Sequence, residues 1–179
     1  MIFLKRYNNR ALSLLEIMIT LVIITVALVG IGSIFSVGMN AVNKNKVKLT
    51  ARNLAKDLME EVLSKAHWKT DGDACGGGGA LAPETGEIRW VGMGSPTFND
   101  VDDYNNFVDN PITDIKKNPL PYPGFRRSVI VKFLNPVDLS DSQSPTSFKK
   151  VTVIVDYDPQ GNFSPSVFTY SISQIITYT

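Results

Sequence analysis

Apolar and polar positions divide this chain into regimes with different periods. Residues 17–39 carry no charge and no proline, and the run opens Ile-Met-Ile-Thr-Leu-Val-Ile-Ile-Thr-Val-Ala-Leu-Val. As an α-helix that run spans about 35 Å at a rise of about 1.5 Å per residue, more than the roughly 30 Å of a bilayer's hydrocarbon core. Polar residues then return, but the helical period persists. Val47, Ala51, Leu54, Leu58 and Val62 recur at spacings of three and four, which lays one apolar stripe along a helix. Neither proline nor glycine interrupts residues 39–66. The pattern therefore predicts a membrane helix over 12–39 and its amphipathic continuation over 40–66, with a stripe suited to packing on a soluble domain.

The period changes to two near the end of the chain. Residues 125–134 contain Ser-Val-Ile-Val-Lys-Phe, residues 148–157 contain Lys-Val-Thr-Val-Ile-Val, and residues 167–178 contain Phe-Thr-Tyr-Ser-Ile-Ser-Gln-Ile-Ile. Alternation and β-branched side chains predict three strands. Turn chemistry separates them at 136–145 and at Asp158-Pro-Gln-Gly161. Such short connections favour antiparallel neighbours. The run Asn118-Pro-Leu-Pro-Tyr-Pro-Gly124 can be neither regular helix nor central strand, so it leads into the sheet. Gly86-Glu-Ile-Arg-Trp-Val-Gly92 is expected as a short strand. The fold class is α+β: a long N-terminal helix, a variable region over 67–124, and a small antiparallel sheet over 125–179 with one face on the helical stripe.

Composition narrows the function classes. The 179 residues suffice for one modest domain plus a membrane helix. Lys+Arg total 18 against 17 Asp+Glu, a near balance that gives no sign of a nucleic-acid surface. Cys75 is the only cysteine, so no internal disulfide forms. His67 is the only histidine and has no partner with which to complete a zinc set. The four glycines at 76–79 lack the Lys-Ser/Thr of a phosphate-binding loop and read as surface loop. No nucleophile–base set, metal cluster or cofactor motif emerges, so no enzyme activity is expected.

One polar segment stands out, Phe98-Asn-Asp-Val-Asp-Asp-Tyr-Asn-Asn-Phe107. Asp100, Asp102 and Asp103 offer the hard oxygens that calcium takes six to eight at a time, but the spacing is not that of an EF-hand loop. A turn built from Asp and Asn side chains bonding nearby backbone is the preferred reading. Calcium stays open as the alternative.

The remaining singular residue is Glu16, at the N-terminal edge of the apolar run and behind Ala11-Leu-Ser-Leu-Leu15. A carboxylate beside hydrocarbon is costly unless it is paired or reaches the interface. A secretory signal has a shorter apolar core followed by its small-residue cleavage site, whereas here the small-residue junction comes first. A plain membrane anchor would leave the acid unexplained. Leader, junction, acid and apolar run together resemble the prepilin N-terminus of type IV pilins and type II secretion pseudopilins. The resemblance implies a leader over 1–11, peptidase cleavage between Ala11 and Leu12, and methylation of the new N-terminus at Leu12. Glu16 would then be the family's glutamate at the fifth mature residue. Ala11 stands where Gly is usual and Leu12 where Phe is usual.

Charge alone leaves orientation ambiguous, because Lys5, Arg6 and Arg10 precede the run and Lys44, Lys46, Lys48 and Arg52 follow it. The resemblance implies an N-terminus in the cytoplasm, a precursor in the bacterial inner membrane, and a periplasmic or extracellular filament after assembly. Its partners would be prepilin peptidase, other pilin subunits, an inner-membrane assembly platform and lipid. Asp100-Val-Asp-Asp-Tyr104 is similar to a stretch of MSHA-type minor pilins, which makes a minor pilin the first reading and a type II secretion minor pseudopilin the second. A monomeric membrane-anchored module binding calcium or another ligand is the reading from a different class.

Overall fold

The computed structural model describes residues 14–65, 81–83 and 85–177. The element order is α1 (Leu14–Leu63), a single 3-10 turn (Asp102–Tyr104), β1 (Val108–Asp109), β2 (Phe125–Leu134), β3 (Asp141–Ser142), β4 (Phe148–Tyr157) and β5 (Phe168–Thr177). Contacts divide the chain into two compact units, Met1–Asn45 and Lys46–Thr179.

In the first unit every described residue is helical and exposed. Nothing within the unit buries the side chains of the apolar run: Ile17, Leu21, Ile24 and Leu28 are all about half or more exposed. Gly30, Gly32 and Gly38 do not break the helix, and a Cβ at any of them would meet open space. The three hydroxyls with a resolved partner are satisfied inside the helix itself. Thr20 donates to the Ile17 carbonyl at 2.9 Å, Thr25 to that of Leu21 at 2.7 Å, and Ser33 to that of Gly30 at 2.8 Å. Such back-bonding lets a polar side chain sit in an apolar environment without an orphaned donor.

In the second unit the stripe does what its spacing predicts. Ala51, Leu54, Leu58 and Val62 are at most 2 % exposed, Val47 is half-buried, and Ala55 and Met59 widen the buried face. Helix α1 ends at Leu63, slightly before the expected 66. The Ser64 hydroxyl and amide both turn back onto the Glu61 carbonyl, at 2.6 and 3.2 Å, and close the last turn. That end leaves Glu61 facing the domain, which matters below.

The three long strands are antiparallel, in the order β2-β4-β5, and their bounds fall where the alternation puts them. Val129 and Val131 of β2 and Val151, Val153 and Val155 of β4 share one buried cluster with the helical stripe. Two strands were not legible: β1 pairs Val108 with Ser128, and β3 pairs Ser142 with Phe133, on the edge of β2 away from β4. Between them that edge is occupied by other means. The Val129 amide donates to the Phe107 carbonyl at 3.0 Å, and the Val131 amide to Asn105 Oδ1 at 2.9 Å.

The strand expected over 86–92 is not one. Only Ile88 makes a bridge, to Thr97, and Gly86, Gly92 and Gly94 hold positive φ angles that bend the segment into a loop. Gly124 is required for a second reason. It has φ +77°, and a Cβ there would lie 2.8 Å from the Asp158 carbonyl oxygen. Its own carbonyl accepts the Asp158 amide at 2.8 Å, which ties the start of β2 to the end of β4.

Leu58, fully buried at the centre of the stripe, gives the direct test of this packing. Leu58→Ala should cost about 2–5 kcal/mol of stability, read as a lowered denaturation midpoint of the detergent-solubilised full chain.

Candidate functional site

Two groups of ionisable residues bear on function, one at the start of α1 and one at its end. Glu16 lies in the first turn of α1 and is exposed. A carboxylate in a helix's first turn faces the positive end of the helix dipole, an interaction of about 0.3–1 kcal/mol. Ala11 and Leu12, the expected cleavage and methylation positions, lie outside the described residues, as do the leader over 1–11, His67, Trp68, Cys75, the glycines at 76–79 and Tyr178.

At the other end Glu61 is the anchor of a charge network. Arg89 grips it with two parallel bonds, Nε to Oε1 and Nη2 to Oε2, both 2.7 Å. The Tyr104 hydroxyl donates to the same Oε1 at 2.9 Å. From Arg89 the network runs on to the sheet. Its Nη1 reaches the Thr113 carbonyl at 3.2 Å and Asp109 Oδ2 at 3.4 Å. Arg127 on β2 donates from Nε to Asp109 Oδ2 at 3.1 Å and from Nη2 to the Thr113 carbonyl at 3.1 Å. Thr113 returns its amide and hydroxyl protons to Asp109 Oδ1, at 3.1 and 2.9 Å.

Two guanidinium groups and two carboxylates therefore balance in a nearly dry site; Arg89, Arg127 and Asp109 are each no more than 4 % exposed. Burial pushes the Glu61 carboxyl up, but the bonds and charge of Arg89 outweigh it and hold the group below its ordinary value. Burial and the neighbouring Glu61 carboxylate raise the Tyr104 hydroxyl, which stays a donor. This arrangement clamps helix, loop and sheet together; it leaves no free nucleophile.

The acidic segment at 98–107 forms the turn that its Asp and Asn content predicts. Asp100 Oδ1 accepts the Asp102 amide at 2.8 Å, and Asp103 Oδ2 accepts the amides of Asn99 and Asp100 at 2.8 and 3.0 Å. Asp102 points elsewhere: both its oxygens take the Lys149 ammonium at 2.7 Å. The three residues weighed as calcium ligands are thus engaged with backbone and with a buried lysine. Among the described residues no group of three or more His, Cys, Asp or Glu is placed to hold a metal ion.

The turn still carries an electrostatic cost. Asp100 Oδ2 and Asp103 Oδ1 are buried without a hydrogen-bond partner among the described residues. Burial, with the Asp103 and Asp102 charges beside it, pushes the Asp100 carboxyl up to about 6, and burial raises Asp103 as well.

A family model described as the prokaryotic N-terminal methylation motif matches residues 6–32. The chain carries the type IV pilin signature. Neither curated proteins nor solved structures return a match. The pilin motif covers the junction at Ala11, the acid at Glu16 and the first part of the apolar run, and the α+β architecture behind it is pilin-like. Motif and apolar helix together are those of a membrane-anchored precursor.

Sequence reasoning found Glu16 but missed the clamp. Nothing local in the sequence pairs Arg89, Arg127 or Lys149 with a partner, because burial of a charge depends on partners distant in the chain. The visible trace was Lys149 and Arg127 on the alternation phase of the core valines, where an apolar residue was due.

Removing one side of the clamp should be severe. Glu61→Ala strands the buried Arg89 and should cost about 3–5 kcal/mol, read by chemical denaturation. The turn should respond to pH in the opposite sense from a paired carboxylate. Because the folded-state value of Asp100 lies above the ordinary 3.8, stability falls as pH rises from about 4 through about 6. The melting temperature of the wild type relative to that of Asp100→Asn should therefore fall as pH rises across that window.

Proposed function

We propose that this chain is a minor pilin-like structural subunit of a type IV pilus of the MSHA kind, processed by prepilin peptidase and built into, or priming, a helical filament. One observation carries the reading: the methylation motif at 6–32 runs into an apolar helix whose side chains the first unit leaves uncovered. Lipid covers those side chains before assembly, and neighbouring helices cover them afterwards. The role is structural; Glu61, Arg89, Asp109, Arg127, Asp102 and Lys149 are engaged in holding the folded domain together.

In this reading the leader stays in the cytoplasm and cleavage after Ala11 frees the ammonium of Leu12. The mature chain loses Lys5, Arg6 and Arg10, which leaves 15 of its 18 basic residues against 17 acidic ones. Glu16 of one subunit pairs with the freed N-terminus of a neighbour inside the apolar bundle. Each charge needs the other there, because an ion left alone in hydrocarbon is costly. The acidic turn at Asp100–Tyr104 favours the MSHA-type assignment over a type II secretion pseudopilin, whose helix and sheet would look alike.

Mass spectrometry of the membrane-extracted protein should find a mature N-terminus at Leu12 carrying a methyl group. Glu16→Val should yield a folded membrane protein that enters filaments poorly. A product that still begins at Met1, or a valine variant that assembles as well as the wild type, refutes the assignment.

A further inference from the structure

One edge of the sheet is closed and the other is open. On the β2 side, β1, β3, the Phe107 carbonyl and the Asn105 side chain occupy the margin. On the far side β5 ends the sheet, and among the described residues no strand pairs with its outer edge. Which groups point off that edge follows from the register. The Val129 amide turns away from β4, so Val153, opposite it, bonds toward β5 and meets Ile172. Ile172 therefore bonds inward, and the backbone groups of Thr169, Ser171, Ser173 and Ile175 point off the sheet.

Such an edge is a template for another strand unless something blunts it. In β5 nothing does. Its ladder with β4 runs from the Phe148–Thr177 pair to the Tyr157–Phe168 pair without a bulge. Residues 168–177 contain no proline, and residues 159–179 contain no Asp, Glu, Lys or Arg. On the core side Phe168, Tyr170 and Ile172 are only half-buried, so apolar surface runs up to the edge uncovered.

The sequence of β5 also says which strand fits. Laid antiparallel on a second β5 about Ser173, its outward-bonding residues fall opposite one another, as a ladder requires. Ser173 then faces the partner's Ser173, Ser171 faces the partner's Ile175, and Tyr170 faces the partner's Ile176. Hydroxyl pairs and aromatic–β-branched pairs are favourable across strands, and with no charge in the segment nothing repels. The Ser173 hydroxyl already shares a hydrogen bond with Thr152 at 2.9 Å and keeps capacity for a second.

We propose that the outer edge of β5 pairs antiparallel with β5 of a second copy of this chain, joining two sheets into one. The contact uses the same patch on both copies and closes as a two-fold pair. It is therefore separate from the open contacts of a filament and does not depend on the filament reading. A single strand edge is small beside the roughly 1,600 Å² of a standard interface. Confinement of anchored copies to one membrane raises their effective concentration and compensates.

The test uses the full chain in its native membrane. A photoreactive benzoylphenylalanine in place of Ile175 should give a dimer-sized adduct that maps to residues 169–173 of the other copy. Ser173→Lys, at an exposed position, should cut that adduct about tenfold, because two ammonium groups then meet at the centre of the ladder. Co-expressing Ser173→Lys and Ser173→Glu chains should restore it to within about threefold of wild type. Melting temperatures check that each variant folds; should either misfold, the adduct map of the otherwise wild-type chain decides alone. No dimer-sized adduct, an undiminished one in Ser173→Lys, no recovery on mixing two folded variants, or an adduct to another polypeptide or to lipid each overturns the proposal. None of these outcomes bears on cleavage, methylation or filament entry.

Discussion

Glu61 is the point at which helix, loop and sheet become one domain. Its carboxylate takes two bonds from Arg89 and one from Tyr104, and Arg89 continues through Asp109 to Arg127 on β2. No cysteine pair braces this domain, since Cys75 is single. A small soluble domain lacking such a brace must fix the angle of its helix by packing and polar contacts. Apolar packing is non-directional, and the stripe of Ala51, Leu54, Leu58 and Val62 would tolerate some sliding on the sheet. A bidentate arginine does not, because its fork and the carboxylate must stay coplanar. The clamp therefore supplies the register that the stripe lacks, and the segments at 88–97 and 109–114 take their path from it.

The same helix meets two solvents. Up to about residue 45 its side chains are exposed apolar groups with hydroxyls folded back on their own carbonyls; from Val47 onward one face is buried in protein. The apolar run and the stripe differ in purpose, and only the second stabilises the fold of the domain. Substitutions in residues 17–39 should thus leave the folded domain intact, whereas substitutions on the buried face of residues 47–62 alter folding.

What the sequence made legible was whatever depends on local period. The stripe spacing located the buried face of α1, and alternation placed β2, β4 and β5 within a residue of their observed bounds. Glu16 stood out because an acid beside a long apolar run is anomalous on its own. Long-range electrostatics was not legible. Lys149 sits in the core because Asp102, far earlier in the chain, arrives opposite it; its place on the phase of the core valines marks it as buried but does not name its partner. The two-residue strands β1 and β3 were equally hidden, since neither is long enough to show a period. The segment at 86–92 misled through its β-formers, where the glycines at 86, 92 and 94 decide the backbone.

The margin of β2 between its two short partners has a bearing on how the domain avoids self-association at that edge. An open row of strand amides invites any extended chain to add itself. Here the Val131 amide is already satisfied by a side chain, that of Asn105, and the Val129 amide by the carbonyl of Phe107. A stray peptide arriving at that rim finds the docking points spent. Two copies can thus lie close without fusing along that side of the sheet.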